Sequence, residues 1–285
     1  MADALEGLGP GTDELEDLLA VALEAAEAGA QVLRGRDTAQ LHAVNKSSEG
    51  DWVTAFDVAA EDAVSEVLRG ARPYDAITGE ESGTYVPGQR SGVRWSVDPL
   101  DGTTNFIRDI VYYSTSVAAC DEHGNWLVGV VNAPALGRIY YAVAGLGAWV
   151  RRNGRDTRLT GPVPLRRGAL YGTGFSYDPA VRREQFGAFL ETMENFSDMR
   201  RLGAASLDLC MVAEGTLDGY SERGLHEHDW AAGALIAHEA GAVVERPDLP
   251  PPPALCEEEH TDPSAIVNVY EKARVASVIA AWAAN

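Results

Sequence analysis

The residues best suited to chemistry lie in the segment Trp95–Phe106, which reads WSVDPLDGTTNF. Asp98 and Asp101 stand three residues apart where a run of β-forming residues ends, because the proline between them cannot donate a ladder hydrogen bond and Gly102 permits a tight turn. Two such carboxylates, with the carbonyl of Leu100 turned inward between them, offer the oxygen ligands that Mg²⁺ prefers. Taken alone, the segment is equally compatible with an ordinary turn.

Two further acidic segments favour a metal site over a simple turn. Glu80 and Glu81 follow a short apolar run, Ala76–Thr78, and Asp229 opens a run of small residues that predicts a helix. Singly, a glutamate pair is usually a solvated surface feature, and an aspartate at a helix start is usually an N-cap. Recurring together with the first segment, they predict carboxylates that converge on a cation, since such a cluster would be destabilising without one.

These segments resemble the signature blocks of the inositol monophosphatase family, whose superfamily also holds fructose-1,6-bisphosphatases. The matching blocks, in chain order, are Asp51–Asp57, Gly79–Ser82, Asp98–Phe106, Gly129–Pro134, Gly145–Gly154, Arg201–Ser206, Glu222–His226 and Asp229–Gly233. The resemblance spans about residues 15–245. The chain departs from the family pattern at His228, where the family usually has tryptophan, and at Trp52, where it usually has a small aliphatic residue. The proline-rich segment 246–263 and the tail through Asn285 also depart from it. None of these departures removes a proposed metal ligand.

The resemblance implies a role for each site residue. Metal ions, with Mg²⁺ as the expected cofactor, would be held by Glu80, Asp98, Leu100 through its carbonyl, Asp101 and Asp229. Glu80 and Thr103 would orient and activate the attacking water, with Asp57 hydrogen-bonded to Thr103 and near a further, weaker ion. The phosphate would contact Gly102, Thr103 and Thr104. The alcohol would face Gly203, Ala204, Ala205 and Glu222.

The predicted activity is hydrolysis of a small phosphomonoester to an alcohol and phosphate. Because Glu222 matches the position that binds an inositol hydroxyl in the family, the expected substrate is a polyol phosphate: an inositol, sugar or cyclitol phosphate. Relatives leave other substrates open, namely fructose bisphosphate, histidinol phosphate, a 3′-phosphoadenosine nucleotide, or a nucleoside or aminocyclitol phosphate. A non-catalytic family member that binds a metabolite is a different class of function. Glu222 could also be purely structural, paired with Arg201 or Arg223 at the surface.

The elements that must position these residues change type along the chain. An apolar stripe predicts a helix over residues 13–34, and a second helix is predicted over Phe56–Arg69 with Gly70 as its C-terminal cap. Residues 93–173 are β-rich with tight turns, which predicts antiparallel strands at Val93–Val97, Tyr112–Ala119, Trp126–Val131, Arg138–Ala142 and Ala148–Arg151. After residue 175, helices are predicted at Glu184–Asn195, Ser206–Glu214 and Asp229–Ala240, with strands near Met199–Leu202, Gly219–Ser221 and Ala242–Val244.

The expected architecture, implied by the resemblance, is an α+β fold built as a layered αβαβα sandwich. Residues 1–175 would form an N-terminal half with the antiparallel sheet and most metal ligands. Residues 176–285 would form a C-terminal α/β half with Asp229 and the substrate contacts, and the metals would lie in the crevice between the halves. Residues 246–263, proline-rich and acidic, are predicted to be a mobile loop.

Composition limits the partners that this chain could have. Its 285 residues include 43 acidic and 23 basic ones, for a net charge of −20. That balance argues against a nucleic-acid polymer or an anionic membrane as partner, because both require clustered Lys and Arg. Three well-separated cysteines, no signal peptide and no long apolar run favour a cytoplasmic protein without a disulfide framework. The expected assembly is a homodimer, and the expected ligand is a small phosphorylated metabolite.

Overall fold

The computed structural model describes residues 13–37, 44–45, 52–162, 168–246 and 266–270. Within these ranges the helices are α1 (Asp13–Arg34), α2 (Ala55–Ala71), α3 (Thr103–Ile107), α4 (Pro179–Met193), α5 (Ala205–Ala213) and α6 (Glu227–Glu239), with a 3₁₀ turn at Pro134–Leu136. The strands are β1 (Val44–Asn45), β2 (Trp52–Val53), β3 (Ala76–Gly79), β4 (Gly83–Tyr85), β5 (Arg94–Asp101), β6 (Ser114–Cys120), β7 (Trp126–Ala133), β8 (Arg138–Val143), β9 (Gly147–Arg152), β10 (Arg155–Arg158), β11 (Leu170–Thr173), β12 (Asp198–Arg200), β13 (Gly219–Arg223), β14 (Val243–Glu245) and β15 (Ile266–Tyr270). None of the helices in the described ranges is long and apolar enough to cross a bilayer.

The larger sheet has the strand order β10-β9-β8-β7-β6-β5-β3-β4 among the described residues. Neighbouring strands run antiparallel, as predicted, except that β3 and β5 are parallel. Its central strands are buried on both faces, so apolar residues are continuous and do not alternate with polar ones. Val117 and Ala119 of β6 point into one hydrophobic core, and Ala118 and Cys120 point into another.

Helices α1 and α2 cover one face of this sheet. The predicted stripe on α1 is the buried one: Leu18, Leu19 and Ala22 pack in the same core as Trp95 of β5. Three acidic residues in the first turn of α1 also favour the helix, because they complement the positive end of its dipole. The helix predicted over residues 13–34 is therefore confirmed.

Helices α5 and α6 lie on the opposite face, between the larger sheet and a second sheet. That second sheet has the order β12-β11-β13-β15-β14. The two helices are buried along nearly their whole length, and they share one core with β7, β8 and β13. Helix α4 forms the outermost layer, where Phe189 and Met193 pack against Tyr171 of β11. The predicted αβαβα layering is confirmed, while the division at residue 175 stays a prediction.

Several element boundaries differ from the prediction for local physical reasons. Helix α2 continues through Gly70 to Ala71, so the prediction of Gly70 as its cap is wrong; the cap is Arg72, whose N–H donates to the Leu68 carbonyl at 2.7 Å. Helix α4 begins at Pro179, not at residue 184, because the Asp178 carboxylate accepts from the first free N–H groups of the helix. Strand β15 was not predicted, and most of the segment 246–263 lies outside the described residues.

Gly129 on β7 lets helix α6 lie close against the larger sheet. A Cβ at this position would be 2.9 Å from Cα of Ala232 and 3.1 Å from its carbonyl oxygen. We therefore expect Gly129→Ala to lower the free energy of unfolding by about 1–3 kcal/mol, the usual cost of overpacking. Urea denaturation would measure this, with Gly88→Ala as the matched control, since a Cβ added at that exposed glycine would meet no atom within 4 Å. Equal stability of the two variants would contradict the packing argument.

Candidate active site and metal centre

A pocket of about 880 Å³ is lined by residues from both sheets and from the helices between them. Of the predicted site residues, those that line it are Glu80, Asp98, Leu100, Asp101, Gly102, Thr103, Thr104, Gly203, Ala204, Ala205, Glu222 and Asp229. Asp57 does not line the pocket. It is fully buried behind Thr103, to which it is hydrogen-bonded. The structure thus brings residues that are up to about 150 positions apart in the sequence to one cavity.

Strand pairing places the first acidic residues side by side. Because β3 runs parallel to β5, with Gly79 opposite Val97, the turn after β3 emerges next to Asp98. The Glu80 N–H donates to the Val97 carbonyl at 3.1 Å, which holds that turn against the sheet. The register with β6 is irregular between Asp98 and Asp101, so the polypeptide bulges where both carboxylates leave the strand.

Helix α6 supplies the last acidic residue from the other side of the pocket. Asp229 was expected at the start of this helix, but the N-cap is His226 and Asp229 occupies the third helical position. Its Oδ2 accepts from the His226 N–H at 2.6 Å. The first turn is anchored to β5 because the Glu227 carboxylate pairs with both terminal nitrogens of Arg94.

The four acidic groups repel one another electrostatically. Burial raises the pKa of Asp98 well above its usual range, and the charges of Glu80, Asp101 and Asp229 raise it further. Burial raises the pKa of Asp101 to about 7, opposed by a hydrogen bond from Ser206 and reinforced by the charge of Asp229. Burial also raises the pKa of Asp229 to about 7, with the charge of Glu80 as the next cause. Burial is the largest cause of all three shifts, and the proximity of like charges adds to it.

The donor set fits a hard divalent cation. All of its candidate ligands are oxygen atoms, from carboxylates and from the Leu100 carbonyl, and Mg²⁺ binds oxygen while retaining several waters. Within the described part of the chain, the acidic residues do not close into a preformed cluster of three or more metal-ligating groups.

Asp57 and Thr103 form a polar pair behind the metal-binding turn. Both the backbone N–H and the hydroxyl of Thr54 donate to Asp57 Oδ2, at 2.8 and 2.6 Å. The Thr103 hydroxyl lies 3.0 Å from Asp57 Oδ1 and 3.0 Å from the Leu100 carbonyl oxygen, so it has two acceptors for its single proton. Burial raises the pKa of Asp57, although the Thr54 hydrogen bonds oppose the shift. The predicted Asp57–Thr103 hydrogen bond is present.

Asp101 joins the two sides of the pocket. Its Oδ1 accepts from the Ala205 N–H at 3.2 Å, and its Oδ2 accepts from the Ser206 N–H and hydroxyl at 2.8 and 2.5 Å. Asp101 therefore caps helix α5 from a distant strand, where it also meets the positive end of the helix dipole. Ser206 was matched only as part of a sequence block, and this contact was not predicted.

Glu222 lies in the pocket, not in a surface ion pair. Its Oε2 accepts from the Tyr220 hydroxyl at 2.6 Å, and Gly174 packs against the carboxylate so closely that a Cβ added there would displace it. Burial raises the pKa of Glu222, opposed by the Tyr220 hydrogen bond and by the charge of Arg201. The alternative of a purely superficial pair with Arg201 or Arg223 therefore does not describe its surroundings.

Other pocket residues had no role predicted from the sequence. His226 and His228 lie at the start of helix α6, and the centroids of their stacked rings are 5.3 Å apart on the pocket wall. The remaining part of the wall includes the aromatic residues Phe175, Tyr177 and Trp52 and the basic residues Arg201 and Arg223. Single aromatic residues in loops carry no sequence signal that separates a pocket wall from a core.

Comparison with known proteins identifies the family. A sequence model of the inositol monophosphatase family matches residues 14–277. Inositol-1-monophosphatase SuhB of Mycobacterium tuberculosis is 43% identical over 206 residues, covering 70% of each chain. Nus factor SuhB of Pseudomonas aeruginosa is 39% identical over 236 residues, covering 81% of this chain and 85% of that protein.

Solved structures agree in fold. Mycobacterium tuberculosis SuhB superimposes with a TM-score of 0.76 at 34% identity, covering 93% of this chain and 95% of that one. The inositol monophosphatase of Anabaena superimposes with a TM-score of 0.75 at 30% identity, covering 94% of this chain and 96% of that one. Since the family match covers most of the chain and the layered fold is shared, this chain belongs to the inositol monophosphatase family of phosphoric monoester hydrolases.

Proposed function

We propose that this protein hydrolyses a small polyol phosphate, of the inositol, sugar or cyclitol phosphate type, in a Mg²⁺-dependent reaction. The observation that supports the proposal most strongly is the meeting of four acidic residues, from the turn after β3, from β5 and from α6, in one pocket beside Thr103. Buried carboxylates that raise one another's pKa destabilise the fold. Such a cluster in a pocket therefore favours a functional site.

The metal would be held by Glu80, Asp98, the Leu100 carbonyl, Asp101 and Asp229. When bound, Mg²⁺ neutralises the charge of a phosphate ester and lowers the pKa of water. Enzymes of this family are generally metal-dependent, and an all-oxygen donor set favours Mg²⁺ over softer ions.

The protein's own groups would prepare a water molecule for attack on phosphorus. Because the Thr103 hydroxyl donates to Asp57 or to the Leu100 carbonyl, its oxygen lone pairs are available to accept a hydrogen bond from that water. The Glu80 carboxylate would accept the proton that the water loses. Asp57 acts through Thr103 by fixing the direction of the hydroxyl.

The turn at Gly102–Thr104 would hold the phosphate oxygens. Gly102 adopts a φ of 93°, a conformation that disfavours any other residue, and a Cβ there would lie 3.0 Å from the Tyr112 carbonyl. Asn105 donates to the Tyr112 and Leu202 carbonyls at 2.7 and 2.8 Å, which ties this turn to the segment before Gly203. The alcohol would then face Gly203, Ala204, Ala205 and Glu222.

We expect Glu222→Gln to lower kcat/KM for a polyol phosphate by roughly tenfold or more. A carboxylate here can accept hydrogen bonds from two ring hydroxyls, and losing one charge-assisted contact typically costs about 1.5–3 kcal/mol. Hydrolysis of p-nitrophenyl phosphate, which has no hydroxyl groups to offer, should be almost unchanged. Glu184→Gln, at an exposed position on α4, removes the same charge and serves as the control. Equal losses on both substrates, or on neither, would reject a role in recognising the alcohol.

Phosphate release from a panel of esters, with Mg²⁺ and after its removal by chelation, tests the proposed function. The panel should hold inositol, sugar and cyclitol phosphates together with fructose bisphosphate, histidinol phosphate and a 3′-phosphoadenosine nucleotide. Mg²⁺-dependent release that is fastest with a polyol phosphate would support the proposal. Release from no ester would instead support a metabolite-binding role. The relatives' names do not separate these outcomes, because similarly close ones are called inositol-1-monophosphatase and Nus factor.

A further inference from the structure

Glu61 is a buried carboxylate that the proposed mechanism does not use. It lies on helix α2, one turn beyond Asp57, and is only 3% exposed. Residues four apart project from the same face of a helix, so Glu61 faces the same side of the molecule as Asp57. A carboxylate removed from water needs compensating hydrogen bonds to remain in the fold.

Those hydrogen bonds come from the turn between β3 and β4. The Glu81 N–H donates to Glu61 Oε2 at 2.8 Å, and the Ser82 N–H donates to Glu61 Oε1 at 2.7 Å. Each carboxylate oxygen thus receives one backbone donor from consecutive residues. Hydrogen bonds to an ionised acceptor are roughly twice as strong as neutral ones, so this pair holds the turn firmly.

The turn also approaches the carboxylate closely from its other end. A Cβ at Gly79 would lie only 2.5 Å from both Cδ and Oε1 of Glu61. Gly79 therefore permits a contact that no other residue type allows without displacement. Residues 79, 81 and 82 surround the Glu61 carboxylate, and the residue between them is Glu80, a proposed metal ligand.

We propose that Glu61 is a positioning residue that fixes the Glu80 turn for metal binding; this inference rests on the proposed function. Glu80 reaches the pocket from the turn between β3 and β4, and the residues on both sides of it contact the Glu61 carboxylate. Those contacts fix the position of the Glu80 backbone relative to helix α2. The same helix also contacts the turn after β5, where the Asp57 carboxylate accepts a hydrogen bond from the Thr103 hydroxyl.

Preorganisation of this kind lowers the cost of ligand binding, not the chemical barrier. We expect Glu61→Gln to raise the Mg²⁺ concentration for half-maximal turnover about tenfold, because the amide can satisfy only one of the two N–H donors. Turnover at saturating Mg²⁺ should stay within about twofold of wild type, since binding energy shared by ground and transition states does not alter kcat. The rise in Tm produced by subsaturating Mg²⁺, which does not depend on catalysis, should shrink in parallel.

Two further variants make the test specific. Glu66→Gln removes an exposed carboxylate from the same helix and should match wild type in both readouts. Gly79→Ala displaces the Glu61 carboxylate from the opposite side and should also raise the Mg²⁺ requirement, which provides a test if Glu61→Gln does not fold. Because both changes break one contact, the double variant should be little worse than the more severe single variant.

The outcomes separate this inference from the proposed function. If wild type gains turnover and Tm with Mg²⁺ but Glu61→Gln has the same Mg²⁺ dependence, the positioning role is overturned and the proposed function stands. A lower Tm with an unchanged Mg²⁺ half-point would likewise overturn it, since that is what a purely structural carboxylate would produce. A wild-type protein that responds to Mg²⁺ in neither readout would overturn both.

Discussion

Asp98→Asn is expected to reduce turnover to below about a tenth of wild type at saturating Mg²⁺, equivalent to at least ~1.4 kcal/mol of activation free energy. Asp98 is 1% exposed, and burial raises its pKa, which the charges of three neighbouring carboxylates raise further. The amide keeps the shape of the side chain but removes the negative charge that a cation would need. Phosphate release at a fixed, saturating Mg²⁺ concentration measures the loss.

The fold of the Asp98→Asn variant should survive. The substitution removes one of several neighbouring buried carboxylates, which relieves electrostatic repulsion between them. In the presence of a chelator, the free energy of unfolding of the variant should therefore equal or exceed that of wild type. Asp62→Asn, at an exposed position on α2, is the matched control and should keep wild-type turnover. An Asp98→Asn variant that retains more than a tenth of wild-type turnover would show that Asp98 is not a ligand.

Asp101→Asn should abolish activity as well, but with a different stability. Asp101 accepts three hydrogen bonds from Ala205 and Ser206 at the start of α5. In an asparagine, the NH₂ group would replace one of the two accepting oxygens and would face N–H or O–H groups that also donate. Loss of a helix cap typically costs about 0.5–2 kcal/mol. Comparing the two variants by urea denaturation would therefore separate the charge effect common to both from the capping role that only Asp101 has.

Mg²⁺ is expected to raise Tm, and to raise it more at pH 8 than at pH 5. The pKa of Asp101 and of Asp229 is about 7 in the folded protein, against an ordinary value of 3.8. Between those values the folded metal-free protein binds more protons than the unfolded chain, so its stability falls as pH rises from about 4 to about 7. A divalent cation binds the deprotonated, repelling state and offsets that loss, with about 2.7 kcal/mol gained at 100 times Kd.

Thermal unfolding at pH 5 and at pH 8, with chelator, Mg²⁺ or Ca²⁺, would check this expectation. Ca²⁺ should also raise Tm without supporting turnover, because it is larger and accepts irregular coordination that would misplace the attacking water. Asp98→Asn should show a smaller Mg²⁺ effect at pH 8. Melting curves that are indifferent to both ions would count against a metal site in this pocket.

The positions of helices and strands could be predicted from local sequence where burial of apolar side chains is the dominant interaction. The α1 stripe and the antiparallel runs from 114 to 152 were predicted within a few residues, because burial of one face imposes the helical or strand period. Errors occurred at element ends. Helix α2 passes through Gly70 and helix α4 is capped by Asp178, since these ends depend on hydrogen bonds to groups that a hydrophobic pattern does not report.

The family and the acidic character of the candidate site could be predicted from the sequence alone. Acidic residues at Glu80, Asp98, Asp101 and Asp229, each at the edge of a predicted element, already indicated a cation site, and the blocks around them indicated the family. Short motifs can do this because strand ends and helix starts are local features, and carboxylates there must be solvated, capped or bound to a metal.

How those residues are held in place depends on contacts between elements that are distant in the sequence. Three contacts join residues about 20 to 105 positions apart. They are the parallel pairing of β3 with β5, the capping of α5 by Asp101, and the hydrogen bonds from the Glu80 turn to Glu61. Glu61 gave no signal in the sequence, since a glutamate on a helix is ordinarily exposed. Its role arises from where helix α2 packs, because burial turns an unremarkable side chain into the acceptor for two backbone donors.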